Sequence, residues 1–382
     1  MTLVIIVFGF YFLLLLVLLR GWRIAKAKKF PRLDRAKKLR ITVVVPFRNE
    51  EQNLVDIIRD LIHQNYHAEG FEVLLCNDHS EDGSVQRAKK ELSGLGNFRV
   101  INSPKPGKKS AISYAIENAT GEIIATTDAD CRLPENWLTR INDSFQDPDV
   151  KMIFGGVKIR EDGTFFSRLQ ALEFSSLIGS GAATAALGFP TMCNGANLAF
   201  LKSAFLAVNG YEGNLHVPSG DDEFLMRKMV KQFPGSFSFL TAPDSVVSTL
   251  PQGSLGSFIH QRIRWAGKWK HNPSPVPRWI AVLILVVQTS FLALVVMTVI
   301  HHTNIQAALF LIGIKLFLEF VFLFQIGSFL KQKWRTSYFL LLQLLYPLYV
   351  IFIGLAANFA SYEWKGRKWK NKTNNHYKKP PP

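Results

Sequence analysis

The chain is 382 residues long, 48% of its side chains are hydrophobic, and its formal net charge is +16. Residues 20–40 hold ten Lys/Arg against one Asp and residues 361–382 hold seven against one Glu, so +15 of the +16 lies in two flanks and the middle is near neutral. That distribution excludes a nucleic-acid groove, which needs its basic charge on a folded domain, and three widely spaced cysteines (Cys76, Cys131, Cys193) exclude a disulfide framework and a zinc pattern.

In chain order, residues 2–19 are uncharged and apolar, close to the ~20 residues that span a bilayer as a helix. Arg20 follows them instead of a small-residue cleavage site, so residues 1–20 read as an uncleaved transmembrane anchor, and 21–40 as a basic juxtamembrane linker. Ile41 to Pro46 is a β-branched run, a buried parallel strand, and Asn49-Glu50-Glu51 is expected to open an amphipathic helix to about residue 63. Phe71–Cys76, Phe98–Asn102 and Glu122–Thr127 read as further strands, with helices between them, including one over 109–119. Such alternation makes a mostly parallel α/β sheet. One domain is expected over 41–250, then an interfacial segment over 251–278. The apolar blocks 279–300, 305–330 and 337–360 form a C-terminal membrane region of two spans plus a third span or a re-entrant segment. A basic tail covers 361–382.

The polar clusters fall at the carboxyl ends of the strands, where open α/β sheets bind ligands. Asp128-Ala129-Asp130 directly follows a strand, and two hard-oxygen side chains there suit Mg²⁺ or Mn²⁺ held together with substrate phosphates, although a capped turn would use Asp as readily. Asp78 closes the second strand in a loop rich in short acceptors, with Asp82 expected to cap the next helix. Lys108 lies in a Gly/Pro loop before a helix, placed to meet phosphate oxygens. Asp221-Asp222-Glu223 opens a later helix; Asp222 is the candidate proton acceptor for a hydroxyl, and the bland reading is helix-start acids favoured by the dipole. Gln261-Arg262-Ile263-Arg264-Trp265 offers a guanidinium for a diphosphate and a flat ring for a sugar, or else an interfacial helix with Trp265, Lys268 and Trp269 at headgroup level.

Taken in this order, the pieces resemble the family 2 glycosyltransferases of the membrane-bound, cellulose-synthase-like branch. Pro46-Phe47-Arg48-Asn49-Glu50 matches the opening strand and loop, Asp78 the first aspartate, Gly107-Lys108 the glycine–lysine loop and Asp128-Ala129-Asp130 the DxD. Asp221-Asp222 matches the ED pair and Gln261-x-x-Arg264-Trp265 the QxxRW, with Cys193-Asn194-Gly195-Ala196-Asn197 a looser match to a loop near the acceptor. Asn77 stands where many members have an acid, and Asp221 where a glutamate is usual.

The resemblance covers roughly 41–270 and implies a GT-A-type, Rossmann-like fold carrying one N-terminal and two to three C-terminal membrane helices. It implies a UDP-sugar donor held by Pro46, Arg48, Glu50, Asp78, Lys108 and Asp128, and a metal held by Asp130 and Asp128. It further implies inversion with Asp222 as base, and acceptor or diphosphate contacts from Asp221, Gln261, Arg264, Trp265, Asn194 and Gly195. The expected partners are a UDP-sugar, a lipid or glycan acceptor and the membrane. The expected location is a bacterial-type inner or plasma membrane with the catalytic domain cytoplasmic. Under the positive-inside tendency a full crossing by 337–360 would leave the tail outside, so Tyr346-Pro347 is expected to break that segment into a re-entrant pair. Lys315 and Glu319, four apart, are expected to pair or face a bundle interior. Rival readings are a catalytically silent membrane scaffold, a processive polysaccharide synthase in place of a single-transfer glycolipid enzyme, and, least favoured, a transporter or channel.

Overall fold

The computed structural model describes residues 2–28, 30, 38–215, 217, 219–268, 275–301, 305–333, 335–359, 362–364 and 367–369. Trp269, His302-Thr303-Asn304, Trp334 and most of the basic flanks therefore lie outside the described residues. In chain order the elements are α1 (Thr2–Ala27), β1 (Ile41–Phe47), α2 (Leu54–Ile62), β2 (Phe71–Asn77), α3 (Ser84–Glu91), β3 (Phe98–Asn102), α4 (Lys108–Glu117), β4 (Ile123–Thr126) and α5 (Trp137–Ser144). Then follow β5 (Met152–Gly155), β6 (Val157–Ile159), α6 (Phe165–Ala186), β7 (Leu198–Leu201), α7 (Lys202–Ala207), α8 (Asp221–Gln232), β8 (Phe237–Leu240), β9 (Val247–Thr249) and α9 (Leu255–Ala266). The long helices α10 (Pro275–His301), α11 (Ile305–Phe329) and α12 (Thr336–Phe359) precede a short hairpin, β10 (Tyr362–Trp364) with β11 (Arg367–Trp369).

The main sheet has seven strands in the order β3-β2-β1-β4-β7-β5-β8. β1, β2, β3 and β4 run parallel, β7 runs against both β4 and β5, and β5 is parallel to β8. β1 and β2 are buried along their whole length, which is why their sequences read as unbroken apolar runs rather than alternations. Pro46 costs no ladder bond toward β4, because that pairing ends at Val44↔Thr126.

The expected helix after β1 starts late, at Leu54. The amides of Asn49, Glu50 and Glu51 donate instead to Ser80 Oγ, Ser84 Oγ and Asp82 Oδ2 across the β2–α3 loop, and Asn49 adopts a φ of 53°. Groups that would have begun a helix clamp a neighbouring loop. Asp82 takes its structural part, accepting from the Ser84 amide at 3.1 Å at the start of α3.

Among the described residues four helices, α1, α10, α11 and α12, are long and apolar enough to cross a membrane. Two boundaries differ from expectation. The first helix does not stop at Arg20 but continues to Ala27, because Trp22 is fully buried against Phe239 of β8 and Phe329 of α11. Gly21 allows this approach: a Cβ there would sit 2.5 Å from the Ala183 carbonyl oxygen of α6. The break expected at Tyr346-Pro347 is absent, and α12 runs unbroken through Pro347. A bilayer-length helix packed on α6, α9 and α10 tolerates a proline whose missing hydrogen bond would end a solvated one.

Inside the helix bundle, Lys315 of α11 is fully buried with its ammonium 3.1 Å from Glu319 Oε2 and 2.5 Å from Gln343 Oε1 of α12. The Tyr11 hydroxyl of α1 donates to Glu319 Oε1 at 2.6 Å. The expected pairing of these two charges is thus present, and it joins three helices.

Candidate active site

A cleft of about 1030 Å³ opens where β1, β2 and β4 end. It is lined by every residue that the sequence singled out for a site: Pro46, Arg48, Glu50, Asp78, Lys108, Asp128, Asp130, Asn194, Gly195, Asp221, Asp222, Gln261, Arg264 and Trp265. The strand ends supply Pro46, Asp78 and Asp128; the helix starts supply Lys108, Asp221 and Asp222; α9 supplies Gln261, Arg264 and Trp265; and Arg48, Glu50, Asp130, Asn194 and Gly195 come from the connecting segments.

Lys108 is the hub. Its ammonium lies 2.7 Å from Asp128 Oδ1 and 3.2 Å from Asp221 Oδ2. Burial disfavours its charge, but the Asp128 and Asp221 carboxylates outweigh burial and hold the amine above its ordinary range. Burial likewise works against the Asp221 charge, and Lys108, Lys268 and Lys109 outweigh it, keeping that carboxyl below its usual range and making it a poor proton acceptor. Asp222 is oriented differently. Its Oδ2 accepts from the Gly195 amide at 3.2 Å and its Oδ1 from the Glu223 amide at 2.7 Å, with the Lys268 ammonium 3.7 Å from Oδ1.

Gly220 sets this pair. It sits at φ 81°, a left-handed conformation that favours glycine, and it turns the chain directly into α8. The loop before it is held by Lys109, whose buried ammonium donates to the carbonyls of Asn214, Val217 and Ser219 at 2.9, 2.9 and 3.0 Å. Burial brings the Lys109 amine down to about 8.

Other predicted residues serve the frame of the cleft. Arg48 donates to the carbonyls of Asp78 and His79 and, at 2.7 Å, to Glu81, so its guanidinium is engaged in shaping the β2–α3 loop. Asp78 is almost wholly buried and accepts from the Gly107 amide at 2.7 Å, tying the β2 end to the glycine–lysine loop. Asn77, at the place of an expected acid, bridges Asn102 and the Ser80 amide. Asp130 takes a hydroxyl from Thr249 at 3.5 Å.

Two residues of the headgroup reading, Trp265 of α9 and Lys268 just after it, face inward. Lys268 turns inward to Asp222 and Glu223, and Trp265 packs on Phe174 under the Arg262 guanidinium. Sequence reasoning missed Glu173, Arg262, Lys109 and Lys268. Their partners are distant in sequence, and the one local signal was the doubled lysine opening α4.

Comparison with known proteins follows the same outline. Residues 42–207 match the family model described as "Glycosyl transferase family 2". An N-acetylglucosaminyltransferase of Mesorhizobium japonicum is 27% identical over 236 residues, 59% of this chain and 55% of that one. A poly-beta-1,6-N-acetyl-D-glucosamine synthase of Staphylococcus aureus strain COL is 23% identical over 231 residues, 59% of this chain and 53% of that one. The chain thus spans about half the length of these curated relatives. Among solved structures, the mannosyltransferase PcManGT of Pyrobaculum calidifontis, in complex with GDP-Man and Mn²⁺, shares the fold with a TM-score of 0.59 and 21% identity, covering 91% of this chain and 98% of the other.

Proposed function

We propose, from the match of residues 42–207 to the family 2 glycosyltransferase model, that the chain moves a sugar from a UDP-sugar to a lipid or glycan acceptor, with inversion at the anomeric carbon. The transfer takes place at the cytoplasmic face of a bacterial-type plasma membrane, with residues 20–278 inside and the N-terminus outside. The observation that carries the reading is the meeting of Lys108, Asp128, Asp221 and Asp222 in one cleft roofed by α9.

Asp222 accepts the proton of the acceptor hydroxyl as that oxygen attacks C1 of the sugar. The bond from C1 to the diphosphate oxygen breaks, and the electron pair leaves with UDP. Gly195 and Lys268 hold the Asp222 carboxylate while it does this. Lys108 and Arg264 supply positive charge for the diphosphate, and Asp78 with Glu50 accepts donors of the nucleoside. Asp222 is preferred over Asp221 as base because Asp221 is committed to Lys108.

Asp128 and Asp130 suit a divalent cation. They are hard-oxygen donors two residues apart at a strand end, and Asp128 already attracts one cationic group, the Lys108 ammonium. Among the described residues no cluster of three or more His, Cys, Asp or Glu surrounds them, so donor phosphates would complete the shell of Mg²⁺ or Mn²⁺. Held by Asp128 and Asp130, such an ion would supply positive charge for the departing diphosphate, so that no acid would be needed there.

The test is to incubate membranes holding the full chain with a panel of UDP- and GDP-sugars, with Mg²⁺, Mn²⁺ or a chelator. Nucleotide diphosphate release together with sugar incorporation, both lost on chelation, is the expected result. Absence of release from every donor would replace this reading with that of a silent scaffold.

A further inference from the structure

The floor of the cleft is closed by a second charged group that no motif announced. Glu173 of α6 and Arg262 of α9 form a two-point pair, with Nε donating to Oε1 at 3.1 Å and Nη2 donating to Oε2. The Tyr349 hydroxyl of α12 donates to the same Oε1 at 3.1 Å. Arg262 is 4% exposed and Glu173 6%, and all three residues line the cleft. A buried pair is weak evidence of a stabilising purpose, since desolvation offsets much of the attraction. A forked guanidinium–carboxylate pair is strong evidence of a fixed orientation.

What the pair orients is the QxxRW segment. Arg262 Nη1 donates to Gln261 Oε1 at 2.6 Å, and the guanidinium lies 4.4 Å from the Trp265 ring centre. A guanidinium has donors and no acceptor, so the Gln261 oxygen must face it, and the amide NH₂ is left to donate elsewhere. We propose that Glu173, Arg262 and Tyr349 are a positioning unit that fixes Gln261 as a hydrogen-bond donor and Trp265 as a flat wall. The acceptor is thereby recognised by one of its oxygens against a ring face. This rests on the glycosyltransferase reading and deepens it, and it ties α12 to the acceptor site through the Tyr349 hydroxyl.

The test uses the full chain in lipid nanodiscs with Glu173→Gln, Tyr349→Phe and the double variant Glu173→Gln/Arg262→Gln. Backbone hydrogen exchange across α9 is followed without ligand. Transfer from UDP-N-acetylglucosamine and the other donors of the panel to acceptors in a membrane extract is compared with release of nucleotide to water. In Glu173→Gln, exchange over residues 261–265 rises, acceptor-dependent transfer falls about tenfold through the acceptor KM, and release to water changes less than about twofold. Tyr349→Phe shows the same pattern more weakly. The double variant, with no lone buried charge, regains thermal stability but not the acceptor KM. Wild-type exchange across α9 in both single variants overturns the unit whatever the activity, and so does a double variant with the wild-type acceptor KM. If exchange rises in the variants while the wild-type chain releases no nucleotide, the unit stands and the glycosyltransferase reading falls.

Discussion

An ionic group buried in the helix bundle and a half-buried one in the cleft differ in one respect. In the helix bundle Lys315 and Glu319 form one cation with one anion, completed by Tyr11 and Gln343, and each named charge faces a partner within the protein. In the cleft, Lys108 is shared between Asp128 and Asp221, Asp222 leans on a backbone amide and on Lys268, and Asp130 has a hydroxyl at 3.5 Å. The first group is closed and serves the packing of helices. The second holds its charges in shared, exchangeable contacts, which is what a site needs if diphosphate and cation are to enter and leave.

The comparison is broken most severely by Asp222→Asn. Transfer should fall by about 10²–10⁴-fold, the usual contribution of a general base, with nucleotide binding and melting temperature nearly unchanged. Binding by calorimetry beside a transfer assay reads both, and a variant that turns over normally removes Asp222 as the base. Lys315→Met should do the reverse. It leaves Glu319 without its cation, at a cost of about 3 kcal/mol, seen as a lower melting temperature in detergent with nucleotide affinity unchanged. Loss of transfer without loss of stability would instead make the bundle pair functional.

The smallest effect is a pH dependence. Lys109 has its amine brought down to about 8 by burial, so between there and the ordinary lysine value the unfolded chain binds the extra proton. By linkage, stability rises with pH across that window. The neutral amine can donate fewer bonds to the three carbonyls of the loop before Gly220, so transfer falls as the pH rises through about 8. Lys109→Met should lose both slopes; a wild-type rate that is flat from pH 7 to 9 would separate this loop from the chemistry.

The parallel half of the sheet was legible because strands buried on both faces write themselves as β-branched runs, and because ligand groups collect at their ends. Asp78, Lys108, Asp128 and Asp222 could be lined up from spacing and motif order. The start of α2 could not, since nothing in Asn49-Glu50-Glu51 says that its amides serve Ser80, Ser84 and Asp82. Lys268 reads as a headgroup lysine until folding brings Asp222 beside it, and Glu173 meets Arg262 across 89 positions. Pro347 looked like a break because a solvated helix would break there; packed among apolar helices, the chain continues. The misses are thus contacts made across the fold, and the gains are patterns carried within one element.

The reversed strand β7 has a consequence for how such a chain can be altered. Because it runs against β4, it enters the sheet at the end where its parallel neighbours leave, and Gly195 just before it reaches Asp222. The segment joining α6 to β7 is therefore an inlet to the rim of the cleft, separate in the chain from the loops that carry Asp78, Lys108 and Asp128. On the proposed function, grafts between residues 187 and 194 change the choice of acceptor and leave the choice of donor as it is.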